Sequence, residues 1–118
     1  MPAARAAAAA KGVQGWPNRE GERIFMKAVL IPGDGIGREI AESVRAVSAA
    51  LNTGIDWQEC EAGAEYAEVS GELIAPGTLD AIEECGWALK GPTATPIGKG
   101  FRSINVQLRQ RFATYANL

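Results

Sequence analysis

The sequence lacks histidine altogether and contains only two cysteines. Cys60 and Cys85 lie 25 positions apart without a second pair of ligands, which argues against a zinc site or a thioredoxin-like motif. We expect both thiols to be reduced and half-buried in an α/β protein. The sequence also lacks any run of about 18 apolar residues, so no segment is long enough to cross a membrane as a helix.

Two long stretches of the sequence each carry charges of only one sign, and the two signs are opposite. Residues 55–89 carry nine acidic side chains and no basic one, whereas residues 90–118 carry five cationic side chains and no carboxylate. The five cations of this second stretch, the cationic segment, are Lys90, Lys99, Arg102, Arg109 and Arg111. The segment is short, interrupted by glycines and poor in aromatic residues, which argues against nucleic-acid binding. It predicts contact with a small anion instead.

The first 25 residues differ from the rest of the chain. They are Ala-rich and then polar, with glycine and proline breaks, and they lack the apolar core of a secretory signal. Glu20 and Glu22 argue against a mitochondrial transit peptide, so we expect a cytoplasmic location. Met26 directly precedes the first convincing strand. Residues 1–25 are therefore predicted to be a disordered or mis-annotated extension, followed by one partial, truncated domain over residues 26–118.

From Met26 onward the pattern alternates between strands and helices. Strands are predicted over residues 27–32, 55–61 and 86–90, and helices over residues 38–51 and 76–85 and from Ser103 onward. Residues 62–70 fit either a short helix or an irregular segment. This order predicts an α/β fold with a parallel sheet, whose ligands bind beyond the carboxyl ends of the strands.

The helices predicted over residues 38–51 and 76–85 have specific faces and, in the second, a specific cap. The first has apolar residues at helical spacing that share one face: Ile40, Val44, Val47 and Leu51. In the second, Thr78 is a plausible cap, and Leu79 and Ile82 are expected to face inward.

Two glycine-rich loops follow predicted strands. In the first, glycines occupy positions 33, 35 and 37, but a dinucleotide-binding fingerprint would need a glycine at position 38, where Arg38 stands. A Rossmann fold is therefore not predicted, and the loop is either a tight turn or a ligand contact. The second loop, residues 91–100, combines threonines and glycines with Lys90 and Lys99, which suits close approach of an anion to the backbone.

Residues 29–40 (VLIPGDGIGREI) and 89–118 (LKGPTATPIGKGFRSINVQLRQRFATYANL) together resemble the metal-dependent β-decarboxylating dehydrogenases, which include isocitrate and isopropylmalate dehydrogenases. The resemblance covers nearly everything from Met26 and implies the parallel-sheet large domain of that fold. Ser103, Asn105 and Arg109, at spacings of two and four, look like the isocitrate branch. Ala94 and Arg38 depart from the family pattern, which often has threonine and proline there.

The resemblance assigns Ser103, Asn105 and Arg109 to substrate binding, and Thr95 and Lys90 to the neighbourhood of the cofactor. Physical chemistry supports the first three roles. Asn105 and Arg109 share a helix face, the Ser103 hydroxyl lies at the helix start, and arginine pairs bidentately with carboxylates. A neighbouring face should anchor this helix to the core through three apolar residues: Ile104, Leu108 and Phe112.

The implied reaction is the oxidative decarboxylation of isocitrate to 2-oxoglutarate, a step of the tricarboxylic acid cycle, with NAD preferred over NADP and with Mg²⁺ or Mn²⁺. The family's catalytic and metal-binding residues are expected in a part of the fold beyond residue 118. We therefore interpret the chain as an amino-terminal portion that is inactive alone and forms a homodimer or similar homo-oligomer when full length.

Two alternatives remain open at this stage. The first is another dehydrogenase of the same family that acts on isopropylmalate, homoisocitrate or tartrate. The second is a non-catalytic module that captures a polycarboxylate or pairs with a dehydrogenase subunit.

Overall fold

In the computed structural model, which describes residues 26–116, strands and helices alternate as the sequence predicts. The strands are β1 (Met26–Ile31), β2 (Ile55–Glu59) and β3 (Ala88–Lys90), and the helices are α1 (Gly37–Ala50), α2 (Ala64–Ser70), α3 (Pro76–Cys85) and α4 (Ile104–Arg111). Predicted ends differ from these by at most two residues, and the undecided stretch contains α2. No helix in this range is long and apolar enough to cross a membrane. The expectations for residues 1–25 lie outside the described range.

The three strands form a parallel sheet in the order β2-β1-β3, so the predicted parallel α/β fold is confirmed. In the register, Ala28 lies opposite Trp57 and Leu30 lies opposite Leu89. Residues 28–31 of the central strand β1 are buried on both faces of the sheet, which explains why these four residues are all apolar. All three strands end at the same edge of the sheet, and both glycine loops begin there.

The main core lies on one face of the sheet and is built from small and branched side chains. Its buried members are Val29, Ile31, Ala62, Ala67, Leu73, Ala81 and Ile104. Ile104 is 1% exposed, and Leu108 packs partly against the same cluster, so the predicted anchoring of α4 is confirmed at these two residues. Phe112 is only partly buried, and its ring lies 5.9 Å from the Arg111 guanidinium carbon.

Helix α1 presents its apolar face mainly to solvent. Val47 and Leu51 are 57% and 71% exposed, whereas the buried residues of α1 are Gly37, Ala41 and Ser48. Small residues allow the helix to approach the sheet closely. The Ser48 hydroxyl oxygen accepts a hydrogen bond from the indole N–H of Trp57 at 3.3 Å, which ties α1 to β2.

The predicted cap of α3 is wrong. The helix begins after Ala75, with Pro76 in its first turn, where proline loses no helical hydrogen bond. Thr78 is the third residue of the helix, three positions past the N-cap, and is 1% exposed. Its hydroxyl donates to the backbone carbonyl of Glu61 at 2.9 Å and so ties α3 to the segment before α2.

Both cysteines are free and partly buried, as expected. Burial raises the pKa of the Cys60 and Cys85 thiols, with nearby carboxylates adding to the shift. A thiol with a raised pKa is a poor nucleophile at neutral pH. Their environment therefore fits a packing role.

Candidate functional site

The two glycine loops, residues 32–36 after β1 and residues 91–100 after β3, pack directly against each other. The Asp34 N–H donates to the Pro92 carbonyl at 2.8 Å, and the Gly91 N–H donates to the Ile31 carbonyl at 2.7 Å. A Cβ atom on Gly33 would lie 2.0 Å from the Pro92 carbonyl oxygen. Gly33 therefore lacks a side chain because the second loop occupies that space, which favours the turn interpretation over ligand contact at this position.

The Asp34 carboxylate joins three separate parts of the chain. One oxygen accepts hydrogen bonds from the N–H groups of Ala64, at 2.9 Å, and Ala94, at 2.6 Å. The other accepts from the Glu65 N–H at 2.8 Å. Gly63 makes room for this carboxylate, because a Cβ there would lie 2.5 Å from one of its oxygens. Asp34 thus connects the first loop, the start of α2 and the second loop.

These contacts hold the Asp34 carboxyl group in its ionised form. Partial burial raises the pKa, but the three backbone N–H donors and the positive charge of Arg38 outweigh it, so the pKa of Asp34 is lowered. A carboxyl group with a lowered folded pKa stabilises the fold above its ordinary value of about 3.9, and that contribution is lost as the pH falls through the lower folded value.

We expect Asp34→Asn to lower the free energy of unfolding by roughly 1–3 kcal/mol at neutral pH, because a charge-assisted hydrogen bond is lost and a donor faces a donor. The difference from wild type should stay constant above about pH 5 and shrink on acidification. Urea unfolding of both proteins at a series of pH values measures it. A difference that grows as the pH falls would contradict this prediction.

Arg38, the residue that excludes a dinucleotide fingerprint, links α1 to α2. Its guanidinium lies 3.6 Å from a carboxylate oxygen of Glu61 and 3.8 Å from one of Glu65. Glu65 also accepts a hydrogen bond from the Gly35 N–H at 3.0 Å. Because these groups are largely exposed, each ion pair contributes little to stability. The ion pairs and the Gly35 hydrogen bond together connect the first loop and the start of α1 to Glu61 and Glu65.

The Lys90 ammonium group is engaged inside the second loop. It donates to the Gly91 carbonyl at 2.8 Å and to the Thr93 hydroxyl at 3.2 Å. Burial lowers the pKa of Lys90, and the nearby Asp34 charge opposes this shift. Lys90 therefore shapes the start of the loop in which Thr95, partly buried, lies.

Farther along, the second loop is open to solvent. Gly98 and Gly100 have φ angles of 80° and 72°, and no atom lies within 4 Å of where their Cβ atoms would be. Lys99 between them is exposed. The expectation that these glycines leave the backbone approachable agrees with this geometry.

Helix α4 carries the three predicted substrate-binding residues, and all three are exposed: Ser103, Asn105 and Arg109. Ser103 is the N-cap residue, but its side chain makes no capping hydrogen bond. Its carbonyl accepts the Gln107 N–H at 3.0 Å, while the Gln107 side chain donates to the Arg102 carbonyl at 2.9 Å. The Ser103 hydroxyl is therefore not consumed by the ordinary capping role that serine plays at this position.

The five cations of the cationic segment do not behave alike. Arg111 donates to a carboxylate oxygen of Glu83 at 3.0 Å, and Lys90 is held within its loop by two hydrogen bonds. Lys99, Arg102 and Arg109 are exposed. Lys99 and Arg102 precede the start of α4, where the positive end of the helix also favours an anion, and Arg109 lies in the last turn of the helix.

Asp34 was not among the predicted site residues. The only signal was an aspartate between two glycines directly after a strand, a setting in which its side chain often accepts backbone N–H groups. Its partners stand 30, 31 and 60 positions away, so only the fold reveals them. Residues 26–116 contain no group of three acidic or cysteine side chains arranged to hold a metal ion. The described residues therefore do not fit the family's divalent metal, and we assign them no step through it.

Several known proteins are similar to this chain. The mitochondrial NAD isocitrate dehydrogenase catalytic subunit 6 of Arabidopsis thaliana is 46% identical over 93 residues, which are 79% of this chain and 25% of that protein. The chloroplastic 3-isopropylmalate dehydrogenase of Solanum tuberosum is 43% identical over 94 residues, 80% of this chain and 26% of the other. The crystal structure of isocitrate dehydrogenase from Methylococcus capsulatus superposes with a TM-score of 0.67 at 40% identity, covering 72% of this chain and 25% of that one.

The names of these relatives correct one expectation. The predicted cytoplasmic location is wrong, because the plant and yeast isocitrate dehydrogenase relatives are named mitochondrial and the isopropylmalate relative chloroplastic, which points to an organelle. Glu20 and Glu22, on which that expectation was based, lie outside the described residues.

The family match extends over almost all of the described fold. The chain spans about a quarter of the length of the curated relatives it matches. The model of the isocitrate/isopropylmalate dehydrogenase family matches residues 27–118, which include the sheet, both glycine loops and α4. The chain belongs to the isocitrate/isopropylmalate dehydrogenase family, whose members are oxidoreductases.

Proposed function

We propose that this chain supplies the substrate-facing helix and the cofactor-facing loop of an NAD-dependent isocitrate dehydrogenase, which oxidises isocitrate and decarboxylates it to 2-oxoglutarate. The observation that carries the proposal is the exposure of Ser103, Asn105 and Arg109 on α4, with the serine hydroxyl unused as a cap. The isocitrate dehydrogenase names of several relatives support the choice.

The chemistry of α4 suits a substrate with several carboxylates. The Arg109 guanidinium can hold one carboxylate through two parallel N–H donors. The Ser103 hydroxyl and the positive end of the helix favour a second one, and the Asn105 amide adds another donor. Isocitrate differs from isopropylmalate in one substituent, which carries a carboxylate in isocitrate and is an apolar isopropyl group in isopropylmalate. A polar lining therefore favours isocitrate over isopropylmalate.

The cofactor side of the proposal rests on the second loop. Thr95 is assigned to contact the cofactor, and Lys90 holds the loop that presents it. When bound, NAD accepts the hydride released from the substrate's hydroxyl carbon. Residues of this chain bind and orient the reactants. Several relatives are named as enzyme subunits, which supports an oligomeric assembly.

A panel of 2-hydroxy acids tests the substrate. We expect the dehydrogenase that carries this chain to turn over isocitrate with a kcat/KM at least tenfold above that for isopropylmalate, homoisocitrate or tartrate. Ser103→Ala should lower kcat/KM for isocitrate by roughly tenfold, because a hydrogen bond to a charged carboxylate is lost, about 1.5 kcal/mol. Steady-state kinetics with purified enzyme provides both values.

Ser43→Ala is the matched control. Ser43 is exposed on α1, and its hydroxyl donates only to the Glu39 carbonyl of its own helix at 3.0 Å. This variant should keep wild-type kinetics. Higher turnover on any acid other than isocitrate would contradict the proposed substrate, and wild-type kinetics for Ser103→Ala would contradict the role of the hydroxyl.

A further inference from the structure

The part of the second loop that precedes Thr95 is fixed at three consecutive residues. The Pro92 carbonyl accepts the Asp34 N–H at 2.8 Å, the Thr93 hydroxyl accepts from Lys90, and the Ala94 N–H donates to the Asp34 carboxylate at 2.6 Å. Asp34 supplies two of these three contacts. Beyond this point the loop turns outward, and Ile97 is fully exposed.

The chemical character of the contact requires a carboxylate. All three groups that point at the Asp34 side chain are backbone N–H donors, belonging to Ala64, Glu65 and Ala94. An ionised carboxylate has only acceptor sites and satisfies all three. An asparagine amide would turn its own NH₂ group toward at least one of them. Aspartate therefore satisfies all three donors at position 34, whereas asparagine, its nearest isostere, does not.

We propose that Asp34 is a positioning residue that sets the conformation of the second loop at Ala94, and thereby holds Thr95 in place for the cofactor without touching substrate or cofactor itself. This inference rests on the proposed function for the identity of the ligand at Thr95. Asp34 should therefore affect binding of the cofactor but not of the substrate. It holds the loop that faces the cofactor, whereas the substrate residues of α4 are anchored separately through Ile104.

The test compares the dehydrogenase that carries this chain, as wild type, Asp34→Asn and Asp80→Asn, by NMR on ¹⁵N-labelled protein. Asp80 is an exposed carboxylate on α3 and serves as the matched control. Hydrogen exchange is measured at the Ala94 amide, and NAD⁺ and isocitrate are titrated separately. The reporters are the Thr95 amide for NAD⁺ and the Ser103 and Asn105 amides for isocitrate.

We expect Asp34→Asn to accelerate exchange at Ala94 by at least tenfold and to weaken the NAD⁺ response at Thr95 by at least fivefold. Its isocitrate response should stay within twofold of wild type, and Asp80→Asn should match wild type throughout. If Asp34→Asn does not fold, Ala94→Pro removes the loop donor alone and leaves both contacts to α2, with the same selective loss expected.

The possible outcomes separate this inference from the proposed function. Unchanged exchange at Ala94, or equal weakening of both ligands, would overturn the positioning role. A wild-type chain that responds to NAD⁺ but not to isocitrate would contradict the proposed substrate and leave the positioning role standing. A wild-type chain with no NAD⁺ response at Thr95 would overturn the cofactor contact and, with it, the positioning role.

Discussion

Arg109→Ala is expected to lower kcat/KM for isocitrate by roughly a hundredfold in the dehydrogenase that carries this chain. A bidentate pair between a guanidinium and a carboxylate consists of two charge-assisted hydrogen bonds, and losing it costs about 3 kcal/mol. Arg109→Lys should lose about tenfold, because an ammonium group keeps the charge but not the planar pair of donors. Most of the loss should appear in KM if Arg109 binds the ground state and the transition state equally.

Arg111→Lys is the matched control, because it makes the same substitution two residues away on the same helix. Arg111 faces Glu83, and lysine can keep that exposed ion pair, which is worth at most about 1 kcal/mol. Its kinetics should stay within twofold of wild type. Equal losses for Arg109→Lys and Arg111→Lys would indicate a general electrostatic effect and would contradict a specific bidentate contact.

Gly33→Ala is expected to lower the free energy of unfolding by about 3 kcal/mol or more. The residue has a φ of 77°, which costs an ordinary residue roughly 1–2 kcal/mol. Its new Cβ would also lie 2.0 Å from the Pro92 carbonyl oxygen, so the second loop would have to move, at roughly 1–3 kcal/mol more. Urea unfolding followed by circular dichroism measures the change.

Gly98→Ala separates the two causes. Gly98 has nearly the same backbone conformation, with a φ of 80°, but no atom lies within 4 Å of its would-be Cβ. Alanine there should cost only the backbone strain, about 1 kcal/mol. If both variants lose the same stability, steric contact between the loops would not be the reason for glycine at position 33.

The contact at Gly33 also has a functional consequence. The central strand and the edge strand β3 each deliver one loop to the same edge of the sheet, and the close approach of Gly33 to Pro92 joins them into one surface. Asp34 then attaches that surface to α2. A change that separates the loops should therefore reduce stability and cofactor binding together, whereas substitutions at Ser103, Asn105 or Arg109 should affect the substrate alone.

Local pattern was sufficient for most of the fold. The apolar run at residues 27–32 predicted the strand β1, and the spacing of Ile104 and Leu108 predicted which side of α4 meets the core. Thr78 shows where local reasoning failed. A threonine near a helix start looks like a cap, but Pro76 already occupies the first turn, and the Thr78 hydroxyl instead binds the carbonyl of Glu61, 17 positions away.

The sequence by itself determined the alternation of strands and helices, the family resemblance and the choice of Ser103, Asn105 and Arg109 as candidate substrate residues, because periodicity and motif spacing are local properties. Only the tertiary structure decided that Gly33 accommodates the second loop, that Lys90 and Arg111 make internal contacts, and that Asp34 joins three segments. The folded chain brings the two groups of each contact together or sets their orientation, and a local sequence pattern does not contain that information.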